Sequence, residues 1–324
     1  MELNSVPLGN TGLQVSELAI GTARFGTPDI DRQTAHELLD AYVDEYGGNF
    51  IDTADIYADG RAEQYIGEWL EDRDREDFVI ASKIYHPIDE NDPNRQGLNR
   101  KHLRRQLNQI LDRLGTDYLD LLYIHRWDDE TPAEEFLRTL DEFVADGRVH
   151  YLGASTRDPN AWKVAKGNEI AEKRGYEPFS VTQTIYNLVD RQAERNYIDM
   201  CEDYDLGLLP FSPLAEGFLT GKYERGVEPP EGSRGAQDGR KGERFRSTYL
   251  NEENFHVIEE VREIAAEYDS TPAQISLAWL LAQDVVTALV AGQTSLDQLE
   301  DNVAMTEIDL PPELVERMND LATP

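Results

Sequence analysis

The chain has 324 residues, 40% of them hydrophobic and 9% aromatic, an apolar content that supports a sizeable core and excludes blanket acidic disorder. Its 64 Asp and Glu against 31 Lys and Arg leave a formal charge of −33. Nucleic acid is excluded as a partner, because phosphate binding needs dense Lys and Arg, and an anionic membrane surface would repel such a chain.

In chain order, residues 6–15 place apolar positions around Gly9-Asn10-Thr11-Gly12 and predict a hairpin. Short β-branched runs then alternate with longer amphipathic segments. Strands are predicted at 16–23, 49–52, 78–83, 118–125, 150–155, 180–186, 207–212 and 285–291. Helical spacing marks 34–46, 62–71, 100–114, 132–145, 159–174, 192–204 and 254–267. Thr131-Pro132, Asp158-Pro159 and Thr271-Pro272 each predict a helix start, with a capping side chain before Pro at the first helical position. The apolar stretch 275–292 carries Gln283 and Asp284 in its middle and reads as a helix followed by a strand, not a membrane span.

Strand–helix alternation implies parallel strands joined by right-handed crossovers. Eight such units predict an α/β fold, a (β/α)8 TIM barrel forming one domain over residues 1–324, with the N-terminal hairpin closing its floor. A doubly wound sheet fits the same alternation, but no Gly-x-Gly-x-x-Gly follows the first strand. Two polar segments, 87–97 and 214–248, interrupt the pattern and are expected as long loops on the C-terminal rim, where barrels bind ligands.

The acids run from Glu2 to Asp320 without gathering in a tail, and 24 of the 31 basic residues are Arg. Spread in this way they solvate surface helices. In molar salt the screening length falls to about 3 Å, so the self-repulsion of such a coat costs little. The expected habitat is the cytoplasm of a salt-accumulating halophile. Cys201 is the only cysteine, which excludes intramolecular disulfides and fits a reducing compartment. The first ten residues lack a basic stretch followed by an apolar run, so no signal peptide is expected.

The strand ends hold the chemistry. The second strand runs into Asp52-Thr53-Ala54-Asp55-Ile56-Tyr57, the third ends at Lys83 and the fourth at His125. In a barrel these emerge at one rim, on neighbouring strands about 4.8 Å apart. Alone, each residue reads as a cap, a solvated lysine or a structural histidine; together they make an acid catalyst. A Lys ammonium beside Tyr57 is expected to lower its pKa from about 10. Asp52 would hold Lys83, and His125 would orient a carbonyl oxygen that becomes an alkoxide.

These residues carry a resemblance. Residues 49–57 (Asn-Phe-Ile-Asp-Thr-Ala-Asp-Ile-Tyr), Gly60-Arg61-Ala62-Glu63, Ser82-Lys83, Ile124-His125-Arg126-Trp127-Asp128, Gln183-Thr184-Ile185-Tyr186-Asn187, Ser212-Pro213-Leu214 and Leu219-Thr220-Gly221-Lys222-Tyr223 are similar to the motifs of the aldo-keto reductases. They most resemble the branch with general-stress reductases and potassium-channel β subunits. The resemblance implies NADPH or NADH as cofactor, no metal, and a small aldehyde, ketone or sugar-derived carbonyl as substrate. It implies a monomer and a tetrad of Asp52, Tyr57, Lys83 and His125, with Tyr57 as general acid and base. It further implies that Thr22 joins the cofactor site, that Ser155 and Gln183 hold the nicotinamide carboxamide, and that Phe211 stacks on the ring. Ser212, Leu214 and Lys222 would meet the pyrophosphate, and Gly292, Thr294, Gln298, Asp301 and Asn302 the adenosine end.

Two departures stand out. Thr156 follows Ser155 where the family commonly has Asn, so it lacks an amide's donors and carbonyl. Segment 292–302 contains no basic residue and three acids where NADPH-preferring relatives place Arg or Lys, which favours NADH or dual use against the family habit. Tyr57, Tyr85, His86, Trp127 and Phe218 are the candidates for the substrate mouth, with Arg24, Arg126 and Arg191 as possible but more readily structural carboxylate ligands. Two alternatives remain at this point: a cofactor-sensing regulatory subunit on the same fold, and a barrel hydrolase or lyase using Asp52 and His125, for which no metal cluster or activated nucleophile is evident.

Overall fold

The computed structural model describes residues 1–89 and 91–322; position 90 of the expected 87–97 loop and the last two residues of the 1–324 span lie outside it. Strands β1 (Ser5–Pro7) and β2 (Gln14–Ser16) form the expected hairpin, with Val6 opposite Val15. The remaining strands are β3 (Leu18–Gly21), β4 (Phe50–Asp52), β5 (Val79–Ile84), β6 (Leu119–Ile124), β7 (Val149–Ser155), β8 (Phe179–Ile185), β9 (Gly207–Phe211) and β10 (Leu289–Ala291). They pair in parallel in chain order, and β10 closes on β3. This is a (β/α)8 barrel; closure excludes the doubly wound sheet.

Every position of β5 and β6 is buried, because a barrel strand faces packed side chains within and helices without. Phe50, Val79, Ala81, Leu121, Tyr123, Val181 and Leu209 fill the interior, and Leu8 and Val15 of the hairpin belong to the same cluster, so the hairpin plugs the floor. Gly9 permits this seating: its φ is +53°, and a Cβ there would lie 2.7 Å from the Gly207 nitrogen.

Helices wrap the outside: α1 (Arg32–Asp40), α2 (Arg61–Leu70), α3 (Arg100–Leu114), α4 (Ala133–Ala145), α5 (Ala161–Arg174), α6 (Tyr197–Tyr204), α7 (Gly239–Tyr249), α8 (Glu252–Glu267), α9 (Pro272–Leu281), α10 (Leu296–Val303) and α11 (Pro312–Asn319). In α3, Leu103, Leu107, Ile110, Leu111 and Leu114 form one buried stripe, the Asn99 side chain caps the start, and Gly115 ends the helix in the left-handed conformation. None of the described helices is long and apolar enough to cross a membrane.

Several local expectations are corrected. Thr271 caps α9 in a full capping box, but Thr131 and Asp158 cap nothing. The Thr131 hydroxyl donates instead to Asp128 at 2.7 Å, and Asp158 accepts from Asn196 at 3.2 Å. A neighbour three residues back takes the Thr131 hydroxyl and a distant residue takes Asp158, and the helices begin at Ala133 and Ala161. The 192–204 helix breaks at Asn196, and the last strand pairs only over Leu289–Ala291, with a separate bridge at Val286. The 214–248 loop is partly helical: a 3-10 turn at Ala215–Thr220 is followed by α7, whose Phe245 and Tyr249 are buried beside Phe218 and Tyr223.

Candidate active site

The barrel register sets the four expected catalytic residues around one point. Asp52 ends β4 and pairs across to Ala81, Lys83 pairs with Tyr123, and His125 follows the last residue of β6. Lys83 is fully buried. Its Nζ donates to Asp52 Oδ1 at 2.5 Å and to the Thr53 carbonyl at 2.9 Å. The Gln183 amide donates to Asp52 Oδ2 at 2.8 Å, so both carboxylate oxygens are engaged. Burial alone would push the Lys83 ammonium down, but Asp52 and then Tyr57 outweigh it and hold it above the ordinary lysine value.

Tyr57 leads into a short 3-10 turn whose next two residues, Ala58 and Asp59, have left-handed φ of 48° and 58°. Lys83 Nζ lies 5.3 Å from the centre of the Tyr57 ring, and the His125 ring meets Tyr57 edge-on at 6.2 Å. The expected lowering of the Tyr57 pKa is reversed. Burial pushes the phenol above its ordinary value, Lys83 offsets only part of this, and Asp52 adds to the rise. Burial first, then Lys83, hold His125 well below its ordinary value. At neutral pH the site therefore presents a protonated phenol and a neutral imidazole with one N–H.

A cleft of about 1320 Å³ opens from this point along the rim. Asp52, Tyr57 and His125 line it, and Lys83 lies buried behind them. The Thr22 hydroxyl donates to the Asp52 carbonyl at 3.0 Å. Ser155, the last residue of β7, stands beside Gln183, two residues before the end of β8, and Phe211 ends β9. Beyond it the chain turns tightly, with left-handed φ at Ser212, Ala215 and Glu216, a conformation non-glycine residues hold only where their surroundings impose it.

The family model described as Aldo/keto reductase family matches residues 17–323. The chain belongs to the aldo/keto reductase family. It is an NAD(P)-dependent oxidoreductase. An uncharacterized oxidoreductase, YrpG, of Bacillus subtilis is 35% identical over 97% of this chain and 94% of its own length. A probable voltage-gated potassium channel subunit beta of Oryza sativa is 34% identical over 96% of this chain and 94% of its own. A norsolorinic acid reductase of Aspergillus flavus is 32% identical over 96% of this chain and 79% of its own.

In this aldo/keto reductase all the residues expected at the cofactor lie along one cleft: Thr22, Ser155, Gln183, Phe211, Ser212, Leu214, Lys222, Gly292, Thr294, Gln298, Asp301 and Asn302. Thr156 also reaches the cleft, but its hydroxyl is held 2.7 Å from the Tyr197 hydroxyl. Asp301 is turned toward the start of α9, where Oδ1 accepts from Thr271 at 2.9 Å and Gln274 at 2.7 Å.

Of the expected mouth residues, Tyr57, Tyr85, His86 and Trp127 line the cleft. Phe218 does not; it is fully buried and stacked on Tyr223 and Tyr249. Arg191 is also structural, being buried, paired with Glu194 and set over the Trp279 ring at 5.0 Å. Sequence reasoning missed Arg157, Arg234 and Arg244. Arg157 lies over the Phe211 ring at 4.9 Å, and Arg234 and Arg244 reach the cleft while both pair with Glu216. The available signal was compositional: Arg234, Arg240, Lys241, Arg244 and Arg246 crowd one short stretch of a base-poor chain.

Proposed function

We propose that this enzyme reversibly reduces an aldehyde or ketone to an alcohol, with Tyr57 as general acid and base. The observation that carries the reading is the buried Lys83–Asp52 pair beside the Tyr57 ring. The raised phenol pKa keeps Tyr57 protonated, ready to give its proton to the carbonyl oxygen as that oxygen gains charge. Lys83 stabilises the phenolate left behind, and Asp52 fixes Lys83 in place. The neutral His125 imidazole offers a hydrogen bond that orients the substrate oxygen. In the oxidative direction Tyr57 takes the proton back.

The cleft residues suit a dinucleotide. Lys222 lines it with no carboxylate partner among the described residues, and partial burial, then Arg234, push its amine below the ordinary lysine value. An anion such as a pyrophosphate complements that charge. Ser155 and Gln183 would hold the carboxamide and Phe211 the ring face, with Thr22, Ser212 and Leu214 completing that end and Gly292, Thr294, Gln298, Asp301 and Asn302 lining the adenosine end. When bound, the nicotinamide supplies the hydride. Because 292–302 offers no base for a 2′-phosphate, NADH or dual use is the local chemical reading. We take the enzyme to act as one monomeric, cytoplasmic barrel domain.

Fluorescence titration with NADH and NADPH, followed by a panel of small carbonyl compounds, tests this. Saturable binding and turnover support it; absence of turnover with either cofactor overturns it, and a large preference for NADPH contradicts the reading of 292–302. The relatives named as potassium-channel β subunits, in rice and in Schizosaccharomyces pombe, support a second reading, a cofactor-sensing subunit. That reading requires a stable complex with a membrane protein, recoverable from native membranes in high salt, and negligible turnover.

A further inference from the structure

We infer that Arg126 binds the anionic group, a carboxylate or a phosphate, of a negatively charged carbonyl substrate. This rests on the carbonyl reductase reading above and narrows its substrate class. Arg126 follows His125 directly, is exposed and lines the cleft.

Among the described residues its guanidinium has no hydrogen bond and no ion pair, and the reason is visible around it. Asp128 on the same loop is saturated: its Oδ2 accepts from the Leu98 amide and the Thr131 hydroxyl, both at 2.7 Å, and its Oδ1 from the Glu130 amide at 2.9 Å. Asp129 is held through both oxygens by Lys163 at 2.8 Å. The other guanidiniums of the cleft are also engaged: Arg24 with Asp29, Arg234 and Arg244 with Glu216, and Arg157 on the Phe211 ring.

With 64 acids against 31 bases, carboxylates are abundant, so a guanidinium on the cleft with no partner among the described residues is conspicuous. Its charge is felt by the substrate-side groups: burial, then Arg126, push His86 below its ordinary value. A guanidinium binds carboxylate or phosphate through two parallel hydrogen bonds. Placed one residue beyond His125, it suits a substrate whose charge lies a short chain away from the carbonyl. A neutral aldehyde would leave it without a partner.

The test compares two matched pairs of substrates, 4-oxobutanoate with butanal and glyceraldehyde 3-phosphate with glyceraldehyde. The parent enzyme should favour the anion of at least one pair by about tenfold or more in kcat/KM, mainly through KM, and the favoured pair identifies the group. In Arg126→Gln the anion-to-neutral ratio should fall by about 10- to 100-fold, the range for a lost charge-assisted contact. Arg126→Lys should restore part of it. Unaltered NADH fluorescence titration in both variants shows that the cleft is still folded. Equal use of anion and neutral partner by the parent, or an unchanged ratio in Arg126→Gln, overturns the inference while leaving carbonyl reduction standing. Failure to reduce any of the four compounds or any other carbonyl would instead overturn the underlying reading.

Discussion

Lys83 Nζ lies 2.5 Å from Asp52 Oδ1, with the Lys83 side chain fully sealed from solvent and that of Asp52 only 2% exposed. A buried ion pair is costly to break, because the charge left behind has no water to solvate it. Replacing one partner by an apolar residue therefore threatens the fold as well as the chemistry.

Lys83→Met should destabilise the protein by about 3–5 kcal/mol, the usual cost of orphaning a buried charge, and should abolish reduction. Adding Asp52→Asn should recover much of that stability without recovering activity. Urea unfolding of the single and double variants, with turnover measured on each, checks both parts. A single variant as stable as the parent would mean that the pair contributes little to folding.

Asp55 supplies a pH dependence. Its Oδ2 accepts from Gln106 at 2.9 Å, and its Oδ1 has no partner among the described residues. Burial raises its pKa from 3.8 to about 7, Gln106 opposing the rise and Glu63 adding to it. The folded state thus binds this proton more tightly than the unfolded state. The stability it contributes is fully present below the unfolded value and is lost as pH rises toward about 7. Between about pH 5 and about pH 8 the loss is roughly 3 kcal/mol. Asp55→Asn should lose that component, so its stability should fall less over this interval than the parent's. Parallel slopes for the two proteins would refute the assignment.

The charge of −33 implies a response to salt. Raising KCl from about 0.1 M to about 1 M shortens the screening length from about 10 Å to about 3 Å and relieves self-repulsion. The midpoint of thermal unfolding should rise over that range if the acidic coat is adapted to a salt-rich cytoplasm. Full stability without added salt would remove the halophile reading.

The barrel and the meeting of Asp52, Lys83 and His125 were legible in the sequence. Parallel strands buried on both faces read as apolar runs, and register carries their ends to one rim. What was not legible depends on partners that periodicity does not reveal. Thr131 and Asp158 look like caps until Asp128 and Asn196 claim their side chains. Phe218 looks like a mouth residue until α7, hidden in a stretch that reads as loop, brings Tyr249 against it. Local charge logic had Lys83 lowering the Tyr57 pKa, but burial, which no spacing reveals, carries it the other way. In segment 292–302 the sequence shows three acids and no base, but not that Asp301 is occupied by Thr271 and Gln274.

The role of Tyr57 is tested most directly by the Tyr57→Phe variant, which removes one oxygen and keeps the ring. Reduction of any accepted carbonyl should fall by about 10²- to 10⁴-fold, the usual contribution of a positioned general acid, while NADH fluorescence titration should be unchanged. Reduction within tenfold of the parent would contradict Tyr57 as the proton donor.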